Sequence, residues 1–147
     1  MAWGSRGWRI GEDMVKPKNG RMEIRAMPGQ RFDPERFCIN KTSPSAARMM
    51  EKGVFCINTL APSHEALADI FAGRAGHYLD ERFAGGEWTK LVTGAPVLRR
   101  AAAAIDCCLV EAKSVMTHYV MIGAVEAADF GPEGGNLSYA RRKYGRV

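Results

Sequence analysis

Residues 37–60 read Phe37-Cys38-Ile39-Asn40-Lys41-Thr42-Ser43-Pro44-Ser45-Ala46-Ala47-Arg48-Met49-Met50-Glu51-Lys52-Gly53-Val54-Phe55-Cys56-Ile57-Asn58-Thr59-Leu60, and one tetrapeptide, Phe-Cys-Ile-Asn, occurs in them twice. Aromatic and β-branched side chains crowded into four positions favour extended backbone, so each copy reads as a buried strand end. Between the copies the punctuation is helical. Ser43 is a cap candidate, Pro44 suits a first helical position whose N–H would be unpaired anyway, and Gly53 suits a left-handed close. The expected order is strand, polar turn, helix, strand. A turn that sets Lys41 and two hydroxyls beside free helix N–H groups suits a phosphate, but spacing alone favours reading the same residues as ordinary caps.

The surroundings bound the answer. At 147 residues the chain is expected to be one domain, able to bury roughly two-thirds of its unfolded surface. Hydrophobic content of 46% with 25% charged residues is that of a soluble globular protein. No apolar run approaches the ~20 residues that span a bilayer, and the start lacks the apolar core of a secretory signal, so a cytoplasmic protein with no membrane partner is expected. The four cysteines, Cys38, Cys56, Cys107 and Cys108, have no CxxC spacing. Buried, reduced thiols are expected, with neither a disulfide framework nor a metal site. The formal charge of +5 gathers at the two ends. A basic balance suits nucleic acid and polyanionic nucleotide cofactors alike, but the aromatic-and-basic interleaving of single-strand binders is missing, so nucleic acid is not the expected partner.

Along the chain, residues 1–36 show no sustained period, with strands expected only near residues 22–26 and leading into Phe37. Ser63 is a candidate cap for a helix over residues 64–72, with Leu67, Ile70 and Phe71 on one face and Gly73 as its stop. Residues 74–96 read as a long ordered loop, residues 96–104 as a short helix or turn. Residues 105–111 and 117–127 read as two strands joined through Lys113-Ser114-Val115. The second is apolar on both faces and is expected to be central. Residues 136–144 return as a final strand or strand and turn with a basic surface. These elements indicate a mainly β or α+β domain with a barrel-like sheet, and no G-x-G-x-x-G or Walker loop is present.

From Phe37 to the C-terminus the chain resembles the short-chain flavin reductases, the reductase components of two-component flavin monooxygenases. The likeness is carried by Cys38-Ile39-Asn40-Lys41, Gly53-Val54-Phe55-Cys56-Ile57-Asn58-Thr59-Leu60, Leu67-Ala68-Asp69-Ile70-Phe71-Ala72-Gly73, Arg82-Phe83, Trp88, Thr93-Gly94-Ala95-Pro96-Val97-Leu98, Asp106-Cys107, Thr117-His118, Ile122-Gly123 and Leu137-Ser138-Tyr139. It implies a split β-barrel of the FMN-binding type with short helices packed on it. It also implies a homodimer that reduces FMN or FAD with NADH or NADPH and passes the reduced flavin to a separate monooxygenase. By the same resemblance Asn40, Lys41, Thr42 and Ser43 meet the flavin phosphate or ribityl chain, and Asn58, Thr59 and Leu60 line the isoalloxazine ring. His118 matches the histidine near the nicotinamide, and Arg141 and Tyr144 lie near the dinucleotide. Without the resemblance, His118 reads as a core histidine at a strand start; His64 and His77 read as surface residues, and Cys107 as a packing residue. The family's N-terminal Gly-x-Thr-Ala and Ser-Val-Ser segments have no counterpart in residues 1–36. The chain therefore divides into an atypical segment, 1–36, and a reductase-like domain, 37–147. The glycine that precedes the Thr-His pair in the family is Met116 here. A non-enzymatic, degenerate flavin-binding module is the alternative function.

Overall fold

The computed structural model describes residues 34–76, 81–131 and 134–147 in full, and the backbone of two strands before them. A six-stranded antiparallel sheet dominates, in the order β1 (Val15–Lys18), β2 (Arg21–Arg25), β8 (His118–Phe130), β7 (Ala103–Val115), β4 (Val54–Thr59). The sixth strand, β3 (Glu35–Asn40), also pairs with β8. It takes residues 118–123 of β8, and β2 takes residues 127–130, so the two occupy successive stretches of that strand. The expectation of a central β8 holds, for it is bonded to β2, β3 and β7 and buries Met121 and Gly123.

The two tetrapeptide copies are β3 and β4, with α1 (Pro44–Lys52) between them, as expected. Pro44 stands in the first turn of α1, and Gly53 closes it at φ 67°, donating its N–H to the Met49 carbonyl at 2.9 Å. Other expectations need correction. Ser43 has the extended backbone of a cap (φ −68°, ψ 125°), but its hydroxyl makes no capping bond. The first tetrapeptide copy alternates between half-buried and exposed, leaving Cys38 in solvent, because β3 is covered on one face only. Ser63 sits inside a 3₁₀ turn (Pro62–His64), and α2 begins after it (Glu65–Phe71). His64 is half-buried rather than on the surface, its Nδ1 accepting the Ala61 N–H at 3.2 Å. His77 lies outside the described residues.

The stretch read as loop and helix holds a second, small sheet, β5 (Trp88–Lys90) with β6 (Pro96–Leu98), after a 3₁₀ turn (Glu81–Gly85). Val97 and Leu98 are buried. β7 runs on through Lys113-Ser114-Val115, so the β7–β8 turn is at Met116 and Thr117, with Met116 at φ 46°. The final return is a hairpin, β9 (Leu137–Ala140) and β10 (Lys143–Arg146). A cluster of Leu67, Leu98 and Ala101, with Leu60 and Trp88 against it, ties α2 to the small sheet.

Candidate functional site

The polar bend at residues 40–43 is built by Asn40. Its Oδ1 accepts both the backbone N–H (2.9 Å) and the hydroxyl (2.8 Å) of Thr42, a side-chain mimic of a backbone turn. Lys41 fastens the bend to the tip of the β7–β8 hairpin. Its N–H donates to the Thr117 carbonyl at 3.0 Å and its ammonium to the Ser114 hydroxyl at 2.6 Å, 5.4 Å from the centre of the Tyr119 ring. His118 is the register partner of Asn40, exposed, with Nδ1 2.8 Å from the Thr117 hydroxyl. Asn40, Lys41, Thr42, Ser43 and His118 thus stand together.

Asn58, Thr59 and Leu60 form a second group. Both ends of the Asn58 amide are in use: Oδ1 accepts the Leu98 N–H at 2.8 Å, and Nδ2 donates to the Pro96 carbonyl at 3.1 Å. The Thr59 carbonyl accepts from Ala102, and the Leu60 carbonyl accepts from Leu137, both at 2.8 Å. The latter bond brings in the β9–β10 hairpin, where Tyr144 donates its hydroxyl to Asp69 of α2 at 2.7 Å and Arg74 donates to the same carboxylate oxygen at 2.9 Å. These two bonds, Tyr144's first, hold the Asp69 carboxyl below its ordinary range. The Arg74 guanidinium also lies 4.4 Å from the Tyr139 ring centre. Arg141 stands at the exposed hairpin turn with φ 52°.

The two groups sit at opposite ends of β7, where Val115 pairs with His118 and Ala104 pairs with Asn58.

Between the groups runs a groove walled by α1. Its larger chamber, about 790 Å³, is lined by Pro44, Ser45, Arg48 and Met49 on the α1 side and by Phe83 and residues 93–96 opposite. A smaller chamber, about 340 Å³, shares Ser45, Met49, Phe83 and Pro96 with it and reaches Asn58, Leu60, Phe71 and Trp88. Phe71, Phe83 and Trp88 stack around one another with ring centres 4.9–5.8 Å apart, and the Trp88 indole donates to the Phe83 carbonyl at 2.8 Å. Of the residues singled out from sequence, Asn58 and Leu60 line these chambers. The 40–43 bend stops at their edge, one residue short of Pro44, and His118, Thr59, Arg141 and Tyr144 border neither.

Sequence reasoning did not pick out Ser45, Met49, Phe83, Trp88 or residues 93–96 as site residues. The available signal was Gly94 and Pro96 flanking a short turn, and two aromatics isolated in a polar stretch. Cys56 lines the smaller chamber as a neutral thiol, pushed up to about 12 by burial and then by the Asp106 charge. That shift disfavours the thiolate. Among the described residues no group of three or more His, Cys, Asp or Glu is placed to hold a metal, and no helix is long and apolar enough to cross a membrane.

A family model, the flavin reductase like domain, matches residues 32–147. The chain belongs to this family. It is 47% identical over 107 residues to FMN reductase (NADH) RutF 2 of Methylorubrum extorquens (strain PA1), covering 73% of this chain and 61% of that protein. It is 38% identical over 110 residues to FMN reductase (NADH) RutF of Variovorax paradoxus (strain S110), covering 75% and 60%. The chain thus spans about three-fifths of the length of these curated relatives. Among solved structures it resembles nitrilotriacetate monooxygenase component B from Mycobacterium thermoresistibile (27% identity, TM-score 0.68, 78% of this chain and 63% of that one). It also shares its fold with flavin reductase PheA2 (19% identity, TM-score 0.68, 90% and 86%). The family's split β-barrel, expected from the resemblance, is the fold found, and the helices α1 and α2 are its short additions.

Proposed function

We propose that this protein is an NAD(P)H-dependent flavin reductase that binds FMN, or FAD, in the groove between α1 and residues 93–96. The observation that carries the reading is the pair of joined chambers, whose sizes fall in the range of roughly 300–1,000 Å³ usual for small-molecule sites. Their lining also fits. An aromatic and aliphatic wall of Phe71, Phe83, Trp88, Met49 and Leu60 suits a flat ring, and the bend bearing Lys41 at the start of α1 suits an anionic tail. Relatives named FMN reductase (NADH) make FMN and NADH the first pair to test.

Hydride exchange is intrinsic to flavin and nicotinamide once the two are stacked. The protein's tasks are to hold, align and dry them. Lys41 and the Asn40-ordered bend hold the tail; the aromatic wall excludes water; Asn58, with its amide spent on Pro96 and Leu98, keeps the inner end of the groove in shape. His118, exposed beside the bend, is the group assigned to the nicotinamide side. Arg141 and Tyr144 remain assigned to the dinucleotide by family likeness. In one chain His118 stands with the tail-binding bend, far along β7 from Asn58 and Leu60. The reading therefore includes a homodimer in which one copy's His118 serves the ring end of the other's groove. A cytoplasmic setting, suited to four free thiols, and a separate flavin-dependent monooxygenase as acceptor of the reduced flavin complete it.

Two measurements test this. The purified protein should oxidise NADH only when flavin is added; flavin uptake without oxidation would indicate the non-enzymatic module, and no uptake would sink both. Mixed dimers of His118→Ala and Ser45→Trp chains should recover activity that neither homodimer shows, since one groove and one His118 remain intact across the pair. Failure to recover it would place the whole site within a single chain.

A further inference from the structure

Asp106 lies on β7 with no solvent exposure, the register partner of Cys56 on one side and Ala127 on the other. Thr93 donates to it twice, through its backbone N–H to Oδ2 at 2.8 Å and through its hydroxyl to Oδ1 at 2.5 Å. The same hydroxyl oxygen accepts the Ala95 N–H at 3.1 Å. Three hydrogen bonds in sequence therefore fold residues 93–95 around a single carboxylate, with Gly94 at φ 84° between them. These residues and Pro96 form the wall of the larger chamber that faces α1.

A buried carboxyl group is costly to desolvate, and that cost is offset here by the two bonds it accepts from Thr93. What an apolar side chain lacks is a pair of acceptors that dictates one loop conformation. We infer that Asp106 is a positioning residue for the ligand groove: acting through Thr93 and without touching ligand, it sets the wall formed by residues 93–96 and so the affinity for flavin. The inference rests on the flavin reading above and adds to it a residue outside the groove.

The test uses Asp106→Asn, Thr93→Val and Thr93→Ser in the full chain, with FMN as the probe. Asp106→Asn leaves one acceptor oxygen where Thr93 presents two donors, its N–H and its hydroxyl, and Thr93→Val removes the hydroxyl that joins Asp106 to Ala95, whereas Thr93→Ser keeps it. Asp106→Asn and Thr93→Val should weaken FMN binding and raise the KM for FMN about tenfold, the usual scale for one lost partner of a buried charged group. At saturating FMN, kcat should change less than about twofold in Asp106→Asn, whose site lies outside the groove, and Thr93→Ser, which keeps the bridging hydroxyl, should hold FMN more tightly than Thr93→Val does. Unchanged FMN affinity in a folded Thr93→Val protein would overturn the inference, as would equal losses in kcat and affinity that simply track melting temperature. Wild-type protein that takes up no FMN would instead sink the flavin reading. The positioning claim is then decided by amide exchange: it stands if Ala95 loses protection in Thr93→Val while β7 keeps it, and falls if Ala95 stays protected.

Discussion

The ring of Phe55 lies directly over the Cα of Gly123. A Cβ at Gly123 would overlap Phe55 Cζ and stand 2.8 Å from its Cε1 and 2.9 Å from the Cβ of Cys107. Phe55 is 2% exposed and packs edge-on against Phe37 at 5.1 Å, so β3, β4, β7 and β8 meet at this point with no slack. Gly123→Ala should destabilise the protein by about 1–3 kcal/mol through overpacking. Adding Phe55→Leu should recover part of that loss. Urea unfolding of both singles and the double closes the cycle, and strictly additive losses would mean that the two do not share this contact.

Asn58→Ala should cost about 1–2 kcal/mol, chiefly because it strands the N–H of buried Leu98, while the Pro96 carbonyl belongs to an exposed residue. Asn58→Asp keeps the acceptor for Leu98 but turns a second lone pair toward Pro96. Its deficit should shrink on acidification, when the protonated carboxyl can again donate. Denaturant midpoints of the two variants across pH check both statements; a deficit that grows in acid would contradict the assigned bonds.

Met116 turns the β7–β8 hairpin at φ 46° with its side chain 90% exposed, so nothing in packing offsets the left-handed backbone. Met116→Gly should stabilise the fold by about 0.5–1 kcal/mol, the relief of left-handed strain less the added freedom of the unfolded chain. Thermal unfolding should show a higher midpoint.

Cys56 and Cys107 are both raised from 9.0 to about 12, burial being the largest cause in each. Between those values the unfolded chain releases thiol protons that the folded chain keeps. Stability should therefore be intact below pH 9 and fall as pH climbs toward 12. Alkylation of native protein should modify exposed Cys38 first and reach Cys107 only on unfolding. Mass spectrometry of peptides after timed quenching gives the order, and early labelling of Cys107 would refute it.

Much of the fold could be read from local chemistry. The strand, helix, strand order around the repeated tetrapeptide, the Pro44 start and the Gly53 close of α1, and the central place of β8 are encoded in neighbouring residues, where steric limits on φ and the apolar run act directly. Short range is also where the reading slipped. β5 and β6 have only three residues each and draw their hydrogen bonds from one another and from Asn58, a partner distant in sequence, so no period marks them.

The site divides in the same way. Sequence by itself determined which residue types were present to hold an anionic tail and a flat ring: Lys41 with its hydroxyl-bearing neighbours, and the Asn58, Thr59, Leu60 run. Only the tertiary structure decided that His118 stands beside Asn40 and not beside Asn58, that the Asn58 amide is spent on the backbone of β6, and that α1 and an Asp106-held turn enclose the groove between the two groups. Those placements come from register and from hydrogen bonds between distant residues, and such pairings are settled by the closing of the whole sheet, which no local stretch of chain contains.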